Sequence, residues 1–356
     1  MHSITLPTQK SSFHVEHREY PASIKGASAP APRMDHAACA FGKSLIIHGG
    51  RTNDKHVEDG NCLWIWDTEM SQWSRRVGDM QLGKSMAPRY GHHMFVDEAQ
   101  KFIVLHGGHT FPNARTSEDG AVLSDPKLPT ETETWLYDLN SHSWTSLPGS
   151  PTPAAAAAYT DTTLYTVDRA ESSLSASISY LKLLPSATER EKPGALAWKT
   201  STFPTNPLVP GPRPREGAAL VPLSIGHGRQ YLVYMFGCNG EHPEKEGGGE
   251  FYSDIWTLQL PSHGLTAAKA KDKIREKLPG MDSGEFTWAE AELVAMEQAV
   301  PEGKVHPGPR GSFGADACLG GKGVVLWGGV NAKGETEGDG WVLGLAYGYA
   351  DSDRWE

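Results

Sequence analysis

Leu45-Ile46-Ile47-His48-Gly49-Gly50, written LIIHGG, is a string that returns three times further along the chain. The related strings are FIVLHGG at 102–108, YLVYMFGC at 231–238 and VVLWGG at 324–329. Each is a continuous apolar run closed by Gly-Gly or Gly-Cys, which is typical of a strand that is buried on both faces and ends where the backbone needs glycine. Four such strings in 356 residues indicate an internal repeat.

Each string lies between two further signals. Upstream, a Pro-Arg pair precedes a strand of small residues, at Pro32-Arg33, Pro88-Arg89, Pro214-Arg215 and Pro309-Arg310. Downstream comes a strand centred on tryptophan, at 63–67, 134–138, 254–258 and 340–343. In three copies a second tryptophan opens a further strand, at Trp73, Trp144 and Trp288. The repeating unit is therefore predicted to have four strands.

A degenerate copy fills the gap between the second and third of these strings. Residues 154–159 replace the Arg-led strand, 164–167 replace the glycine-closed strand, and 177–183 lead to Trp198. We therefore predict five units, with approximate bounds 32–80, 88–148, 153–205, 212–292 and 309–345.

This pattern resembles the kelch repeat, from about Phe13 to Leu345. The resemblance implies an all-β fold, a single β-propeller over 1–356 in which each repeat is one four-stranded blade. Five blades are fewer than is usual in the family, so a sixth blade is the alternative. We expect 13–20 to supply the outer strand of the last blade and so close the ring. Galactose oxidase has a related propeller, but its copper-binding set of side chains is not recognisable here.

Composition and charge exclude several classes of protein. Hydrophobic residues make up 38% of the chain, which argues against disorder, and a formal net charge of −10 argues against a general nucleic-acid binder. No apolar run approaches the roughly 18 residues of a membrane span, and 1–10 lacks the apolar stretch of a signal peptide. The four cysteines lie far apart, which excludes common zinc modules and a disulfide scaffold. We expect a monomeric cytoplasmic protein, with a nuclear location also open.

One face of the propeller is predicted to carry the function. The connections from second to third strand are long, at 51–61, 109–131, 239–251 and 330–339, and they emerge on the same face as the Arg-led connections between blades. Loops on a rigid scaffold are where binding and catalysis usually lie. A helical insert at 265–279 is predicted on the opposite face, with its basic side as solvated surface.

Arginines are the first candidates for ligand binding. The four that lead the blades would converge near the axis, and His109 and Arg115 belong to the longest loop. Arginine suits carboxylate or phosphate because its planar fork binds both oxygens. In kelch adaptors that bind acidic peptides, arginines near this face make the contact, and the resemblance implies that role for Arg33, Arg89, Arg215 and Arg310. The alternative is that each pairs with a carboxylate or carbonyl of its own blade.

Histidines are the candidates for proton transfer. His36, His92 and His93 lie near the start of the inner strands, with Asp35 or Glu216 beside the arginines, and 109–131 with Phe111 would be a lid. The alternative is that these imidazoles are packed core, as expected for His48 and His106.

A metal site is not predicted, and no cofactor is expected. Plant kelch proteins that redirect glucosinolate breakdown hold iron through Glu-x-x-x-Asp-x-x-x-His. Glu250 and Asp254 match the first two positions, but Leu258 replaces the histidine and His242 is the nearest imidazole. Iron or another divalent metal at these residues is the alternative.

Three hypotheses for function follow. The first is a binding or adaptor propeller that recognises a protein or acidic peptide on the arginine face. The second is a cofactor-independent isomerase, cyclase or lyase acting on a small organic anion in the propeller mouth. The third is a structural spacer. No membrane or nucleic-acid partner is expected.

Overall fold

The computed structural model describes the residues 3–5, 14–16, 29–53, 55, 57, 59, 61–80, 86–110, 115–116, 122–123, 132–169, 176–184, 196–203, 211–224, 229–239, 250–262, 267–277, 286–292 and 306–344. Two short strands at the start, β1 (Ser3–Thr5) and β2 (His14–Glu16), pair with each other. The other strands form one antiparallel sheet per predicted repeat, and each sheet is called a blade below.

The first two repeats fold as predicted from their apolar runs. Blade 1 contains β3 (Ala37–Phe41), β4 (Ser44–His48), β5 (Cys62–Asp67) and β6 (Gln72–Val77) in that spatial order. Next come β7 (Asp79–Met80), β8 (His93–Asp97), β9 (Phe102–His106), the hairpin β10 (Arg115–Thr116) and β11 (Val122–Leu123), β12 (Thr134–Asp138) and β13 (Ser143–Leu147). Blade 2 is β8, β9, β12 and β13, and β7 pairs in parallel with β13 as a fifth strand at its outer edge.

The degenerate third copy also forms a four-stranded sheet. Blade 3 contains β14 (Ala154–Thr160), β15 (Thr163–Asp168), β16 (Ser177–Lys182) and β17 (Lys199–Thr202). The alanine-rich β14 replaces the Arg-led strand of the other copies, and β15 lies at the centre of the blade with five successive buried residues.

The last two repeats are blades 4 and 5. Blade 4 contains β18 (Ala219–Ser224), β19 (Gln230–Met235), β22 (Ile255–Gln259) and β23 (Trp288–Ala291), with the pair β20 (Cys238–Asn239) and β21 (Glu250–Phe251) and the helix α1 (Ala267–Glu276) in its connections. Blade 5 contains β25 (Gly314–Cys318), a 3-10 turn (Leu319–Gly321), β26 (Gly323–Trp327) and β28 (Gly340–Gly344), with the pair β24 (Arg310–Gly311) and β27 (Val330–Asn331) beside it.

The last blade and the N-terminal strand differ from the prediction. Among the described residues blade 5 has three strands, and β2 pairs with β1 rather than with β28. Two strands that lie close in the chain pair readily, because closing a short loop costs less entropy than closing a long one. Residues 6–13 and 17–28 lie outside the described residues, so the closing role of the whole segment 13–20 stays a prediction.

The chain divides into two compact units. Unit 1 holds blades 1 and 2 and most of blade 3, whereas unit 2 holds blades 4 and 5. The helix α1 lies within the insert predicted at 265–279. No helix of the described chain has the length and apolar character that a membrane crossing requires.

The hydrophobic cores lie between successive blades of each unit. Ile46 and Leu63 of blade 1 pack with Ile103 and Trp144 of blade 2. Further clusters join blade 2 to blade 3 and blade 4 to blade 5. Large apolar side chains therefore hold one blade against the next, which is why the buried runs are apolar on both faces.

The second glycine of each pair is required by a close approach of the backbone. Gly108 has φ +94°, and a Cβ there would lie 2.9 Å from the carbonyl oxygen of Tyr90. Gly329 has φ +101°, and a Cβ there would lie 2.8 Å from the carbonyl oxygen of Gly311. An L side chain would meet both a strained backbone and a collision at these places.

A buried arginine clamps four of the five blades. In blade 2, Arg89 donates from Nη1 to the carbonyl oxygen of Gly107 (3.0 Å) and from Nη2 to Glu133 (2.7 Å). The same carboxylate accepts a hydrogen bond from the indole N–H of Trp135. One guanidinium thus ties the connection before the first strand to the end of the second strand and the start of the third. We call this arrangement the arginine clamp.

The clamp repeats with small variations. Arg215 bonds Asp254 and the Phe236 carbonyl, and Trp256 bonds the same carboxylate. Arg310 bonds Asp339 and the Gly328 carbonyl, again with a tryptophan, Trp341. The arginine side chains of all four clamps are only 0–3% exposed.

Blade 1 draws its carboxylate from an unexpected position. In the other clamps the carboxylate stands two residues before the tryptophan, but Cys62 occupies that place in blade 1. Asp59, five residues before Trp64, replaces it and lies 2.8 Å from Arg33 Nη2 and 2.5 Å from the Trp64 indole nitrogen.

The clamp predicts a large difference between two arginine variants. Arg215→Met should lower the free energy of unfolding by about 3–5 kcal/mol, because it leaves the half-buried Asp254 without its partner. Arg51→Met removes an exposed pair with Asp35 and should cost no more than about 1 kcal/mol. Urea unfolding of both variants measures this difference, and equal losses would show that the clamp is not a special source of stability.

Candidate functional site

The four arginines predicted to bind a ligand are the clamp arginines. Each is buried and bonded to a carboxylate of its own blade, which is the alternative to ligand binding. A buried guanidinium needs these bonds, since an unpaired buried charge is costly. Of the two interpretations of Arg33, Arg89, Arg215 and Arg310, pairing within each blade is the one observed, and Arg33 in addition lines the cleft described below.

The histidines predicted for catalysis do not assemble into an acid–base site. His92 is 5% exposed, and its Nε2 lies 3.0 Å from Nδ1 of the fully buried His48. His93 stacks on Phe95 at an interplanar angle of 5°. His36 is exposed, Asp35 is bonded to Arg51, and the backbone of Glu216 pairs with Cys238.

Burial sets the protonation of these imidazoles. It lowers the pKa of His48 to about 3, that of His93 to about 4 and that of His106 to about 3. The pKa of His92 is also well below its usual range, because of burial and then the charge of His48. A general base works best with a pKa near the working pH and within reach of its substrate. These side chains meet neither condition and serve as neutral core.

The carboxylates considered for a metal site do not form a complete set of ligands among the described residues. Asp254 belongs to the clamp, where the bonds and charge of Arg215 outweigh burial and hold its pKa below the usual value. Glu250 is exposed, with Arg213 at 3.9 Å, and His242 lies outside the described residues. The described part of the chain contains no group of three metal-ligating side chains.

Three side chains at one repeated position form the most distinctive polar feature of unit 1. Arg51 and His109 stand after the glycine pair that closes the second strand of their blades, and Arg169 follows the second strand of blade 3 directly. Their backbone N–H groups donate to equivalent carbonyls, those of Met34, Tyr90 and Pro153, at 2.8–2.9 Å. The repeat therefore holds these three residues in register, and we call Arg51, His109 and Arg169 the cationic row.

The members of the row are linked by side-chain contacts. The Arg51 guanidinium lies over the ring of Tyr90, 5.1 Å from its centroid, and the rings of Tyr90 and His109 are 5.5 Å apart. Nε2 of His109 is 3.5 Å from Nη2 of Arg169. Asp35, which bonds Arg51 at 2.6 Å, is a carboxylate in contact with this chain of side chains. The contacts run without a break across blades 1, 2 and 3.

The electrostatics of the row favour an anion. Burial and then the charge of Arg169 lower the pKa of His109 below its usual value. Two guanidiniums therefore flank an imidazole that resists protonation, while one carboxylate, Asp35, partly balances them. A carboxylate placed beside His109 would pair with the neighbouring Arg169 guanidinium and favour protonation of the imidazole.

A cleft adjoins the row at blade 1. It has a volume of about 690 Å³ and is lined by Pro32, Arg33, Met34, Arg51, Thr52, Asn53 and Lys55. Met34 is 41% exposed and supplies an apolar wall. The side chain of Lys55 is exposed at the same cleft. The cleft thus combines an apolar surface with Arg51 and Lys55, two cationic side chains in addition to the clamp arginine Arg33.

The long loop of blade 2 is described only in part. The backbone of Arg115 lies in the hairpin of β10 and β11, where it pairs with Leu123. The Arg115 side chain, Phe111 and most of 109–131 lie outside the described residues, so their role as a lid stays a prediction.

The sequence interpretation singled out His109 of the row but not its two arginines. Arg51 and Arg169 were not singled out, because the search followed the strongest identity, the Pro-Arg pair. A second signal was available in the residue that follows each glycine pair or its equivalent, which is Arg, His and Arg in blades 1–3 but Cys238 and Val330 in blades 4 and 5.

Comparisons with known proteins agree with this architecture. Residues 10–168 match a family model described as the KLHDC2/KLHL20/DRC7 Kelch-repeats domain. Kelch-like protein 25 of Xenopus tropicalis is 25% identical over 135 residues, which are 38% of this chain and 20% of that protein. Its Xenopus laevis counterpart is 31% identical over 87 residues, 24% of this chain and 13% of that protein. The chain thus spans no more than a fifth of these relatives.

A solved structure extends the likeness to the whole chain. The structure of YjhT matches with a TM-score of 0.55 and 12% identity, over 97% of this chain and 88% of that one. At this identity the match concerns the fold alone. Together with the repeated sheets, it confirms the predicted arrangement of five blades.

The buried histidines predict a loss of stability in acid. In the unfolded chain each takes up a proton near its ordinary pKa of about 6.5, whereas the folded pKa values of His48, His93 and His106 are about 3–4. The free energy of unfolding should therefore be full above pH ~6.5 and fall as the pH drops towards 4, by up to about 1.4 kcal/mol per pH unit for each histidine. Urea midpoints from pH 7.5 to 4.5 measure this slope.

A variant separates this cause from general acid denaturation. His106→Asn keeps a polar group near the Thr134 hydroxyl, which lies 3.0 Å from Nδ1, but removes one titrating imidazole. The slope of its unfolding free energy against pH should be shallower than that of the wild type by up to about 1.4 kcal/mol per pH unit, which corresponds to one proton fewer taken up on unfolding. An unchanged slope would mean that carboxylates, and not these imidazoles, dominate the acid response.

Proposed function

Since this chain is a kelch-repeat β-propeller, we propose that it is a protein-binding module that recognises an acidic segment of a partner on the cationic row of unit 1. The kelch fold is consistent with a binding role in general. The observation that carries the specific proposal is the row itself: Arg51, His109 and Arg169 at one repeated position, in contact through Tyr90 and His109.

The shape of the row suits an extended segment. It crosses three blades. The Tyr90 ring contacts both Arg51, whose guanidinium lies 5.1 Å from the ring centroid, and His109, whose ring centroid is 5.5 Å away. Arginine and tyrosine are enriched at the energetic centres of protein interfaces, because they bury large areas and form several hydrogen bonds. An acidic segment laid along the row would place carboxylates against Arg51 and Arg169.

The cleft at blade 1 adds selectivity for a neighbouring side chain. Met34 supplies apolar contact, and Lys55 supplies a further positive charge. We expect an acidic residue followed or preceded by an apolar one to fit there. The small-molecule enzyme is not proposed, because His92 is buried, His93 is stacked on Phe95 with its pKa lowered to about 4, and the arginines expected to hold the substrate are paired within their blades.

A selection experiment tests the proposal while the partner is unidentified. A random-peptide display library is panned against the full chain, and the enriched peptides are synthesised with a fluorescent label for polarisation measurements. We expect enrichment in Asp and Glu and an affinity that falls as salt rises, because exposed charges are screened.

Single substitutions then locate the site. Arg51→Ala and Arg169→Ala should each weaken binding about tenfold, the effect of losing one hydrogen bond to a charged group. Arg213→Ala is the matched control, since this arginine of unit 2 is exposed and lies 3.9 Å from the carboxylate of Glu250. Peptides without acidic enrichment, or equal affinity for all three variants, would overturn the proposal.

A further inference from the structure

The helix α1 is an insertion that blades 1 and 2 lack. Their third and fourth strands are joined by short turns, from Asp67 to Gln72 and from Asp138 to Ser143. In blade 4 the corresponding connection runs from Gln259 to Trp288 and contains the helix Ala267–Glu276. The connection is thus far longer than a strand turn requires.

A buried ion pair fixes the helix on blade 4. Asp272 is 3% exposed, with Oδ1 at 2.7 Å from Arg229 Nη2 and Oδ2 at 3.3 Å from the Ser262 hydroxyl. Arg229 precedes β19 and Ser262 follows β22, so both partners belong to the body of the blade. Burying a charged pair contributes little net stability but strongly selects one geometry. The pair therefore decides which side of α1 faces the solvent.

That outer side carries an apolar residue among cations. Ile274 is 62% exposed, and Ala270, Lys273 and Lys277 are exposed at the spacing that places residues on one face of a helix. Lys271, three residues before Ile274, is also exposed. An isoleucine in water contributes nothing to folding, and α1 holds it outward among three lysines.

The charge of the helix opposes that of the chain. Residues 267–277 contain five lysines and arginines against Asp272, which Arg229 neutralises, and Glu276. The whole chain has a net charge of −10. A local excess of positive charge on an acidic protein attracts a partner of negative charge to this place in particular.

We propose that the exposed face of α1, formed by Ala270, Lys271, Lys273, Ile274 and Lys277, is a second docking surface that binds an acidic segment of a partner protein through an apolar anchor on Ile274. Carboxylates of the segment would pair with the surrounding lysines. The proposal does not depend on the function assigned to the cationic row, because α1 belongs to unit 2 and the row to unit 1.

A protein segment fits this face better than a membrane does. Helices that lie in a membrane surface bury a broad apolar face with several large side chains. On α1 the described outer residues include one large apolar side chain, Ile274, and the rest are lysines and a small alanine. Ile274 surrounded by lysines is complementary to a partner segment in which one apolar residue is surrounded by carboxylates.

Carbodiimide cross-linking tests the proposal on the full chain, and affinities are measured on the full chain carrying Arg51→Ala and Arg169→Ala, so that the cationic row does not bind the acidic probe. The probe is a labelled peptide with one leucine between pairs of glutamates, compared with peptides in which the leucine is replaced by glycine or the glutamates by glutamines. We expect amide cross-links at Lys271, Lys273 and Lys277, mapped by mass spectrometry. Removing the leucine should weaken binding about fivefold, in line with partial burial of one apolar side chain.

Variants of the helix provide the second readout. Lys271→Glu combined with Lys273→Glu should weaken binding at least about tenfold through like-charge repulsion, and Ile274→Ala should weaken it about as much as removal of the leucine. Lys322→Glu combined with Lys333→Glu, at exposed lysines elsewhere in unit 2, is the matched control and should bind like the wild type.

Three outcomes would overturn the proposal. Cross-links spread evenly over exposed lysines would indicate a non-specific charge effect. Equal affinity with and without the leucine would remove the apolar anchor. The third outcome is that the peptide does not bind, whereas the protein sediments with vesicles of phosphatidylcholine and phosphatidylserine and Ile274→Ala does not. That result would assign the face to a membrane. Because Arg51→Ala and Arg169→Ala should leave these cross-links unchanged, failure here is distinguishable from failure of the function proposed for the row.

Discussion

The buried guanidinium of the arginine clamp is the interaction on which each regular blade depends. A buried arginine must have its donors satisfied, and in this chain that requires a carbonyl at the end of the second strand and a carboxylate at the start of the third. The tryptophan indole bonds the same carboxylate. Arginine, carboxylate and tryptophan therefore belong to one unit, and blade 3 has neither the leading arginine nor the tryptophan of the third strand.

This constraint separates the residues that build the face from those that can contact a partner. The clamp arginines repeat because the blade needs them, so their repetition carries no information about a ligand. The position of Arg51, His109 and Arg169 is fixed through the backbone, by bonds to neighbouring carbonyls. The side chain at this repeated position can change without loss of the fold: it is Arg, His and Arg in blades 1–3 but Cys and Val in blades 4 and 5. Variation on an invariant backbone is where specificity can develop.

Sequence alone predicted the elements that depend on a local pattern of residues and missed those that depend on contacts between segments distant in the chain. The four LIIHGG-like strands, the degenerate blade 3 and α1 all follow from apolar runs and stop signals. Asp59 was missed because blade 1 shifts its carboxylate out of the repeat, and β7 because a parallel strand of two residues leaves no periodic signal. Sequence alone left open whether Arg33, Arg89, Arg215 and Arg310 bind a ligand or pair within their blades, since the bonds that satisfy a buried guanidinium are visible only in three dimensions. The assignment of 13–20 to the last blade failed to foresee the pairing of β1 with β2.

The net charge of −10 changes how a basic surface on this protein can act. Charges separated by more than the Debye length, about 8 Å at physiological ionic strength, are largely screened, so a distant acidic partner meets little net attraction or repulsion. Only inside that distance does it meet Arg51 and Arg169, or the lysines of α1. Such a surface does not accelerate encounter as a uniformly basic protein would, but it penalises polyanions whose charge extends past the patch, nucleic acids above all. Short acidic segments, in which a few carboxylates lie beside an apolar residue, are the anions that we expect these surfaces to accept at least cost.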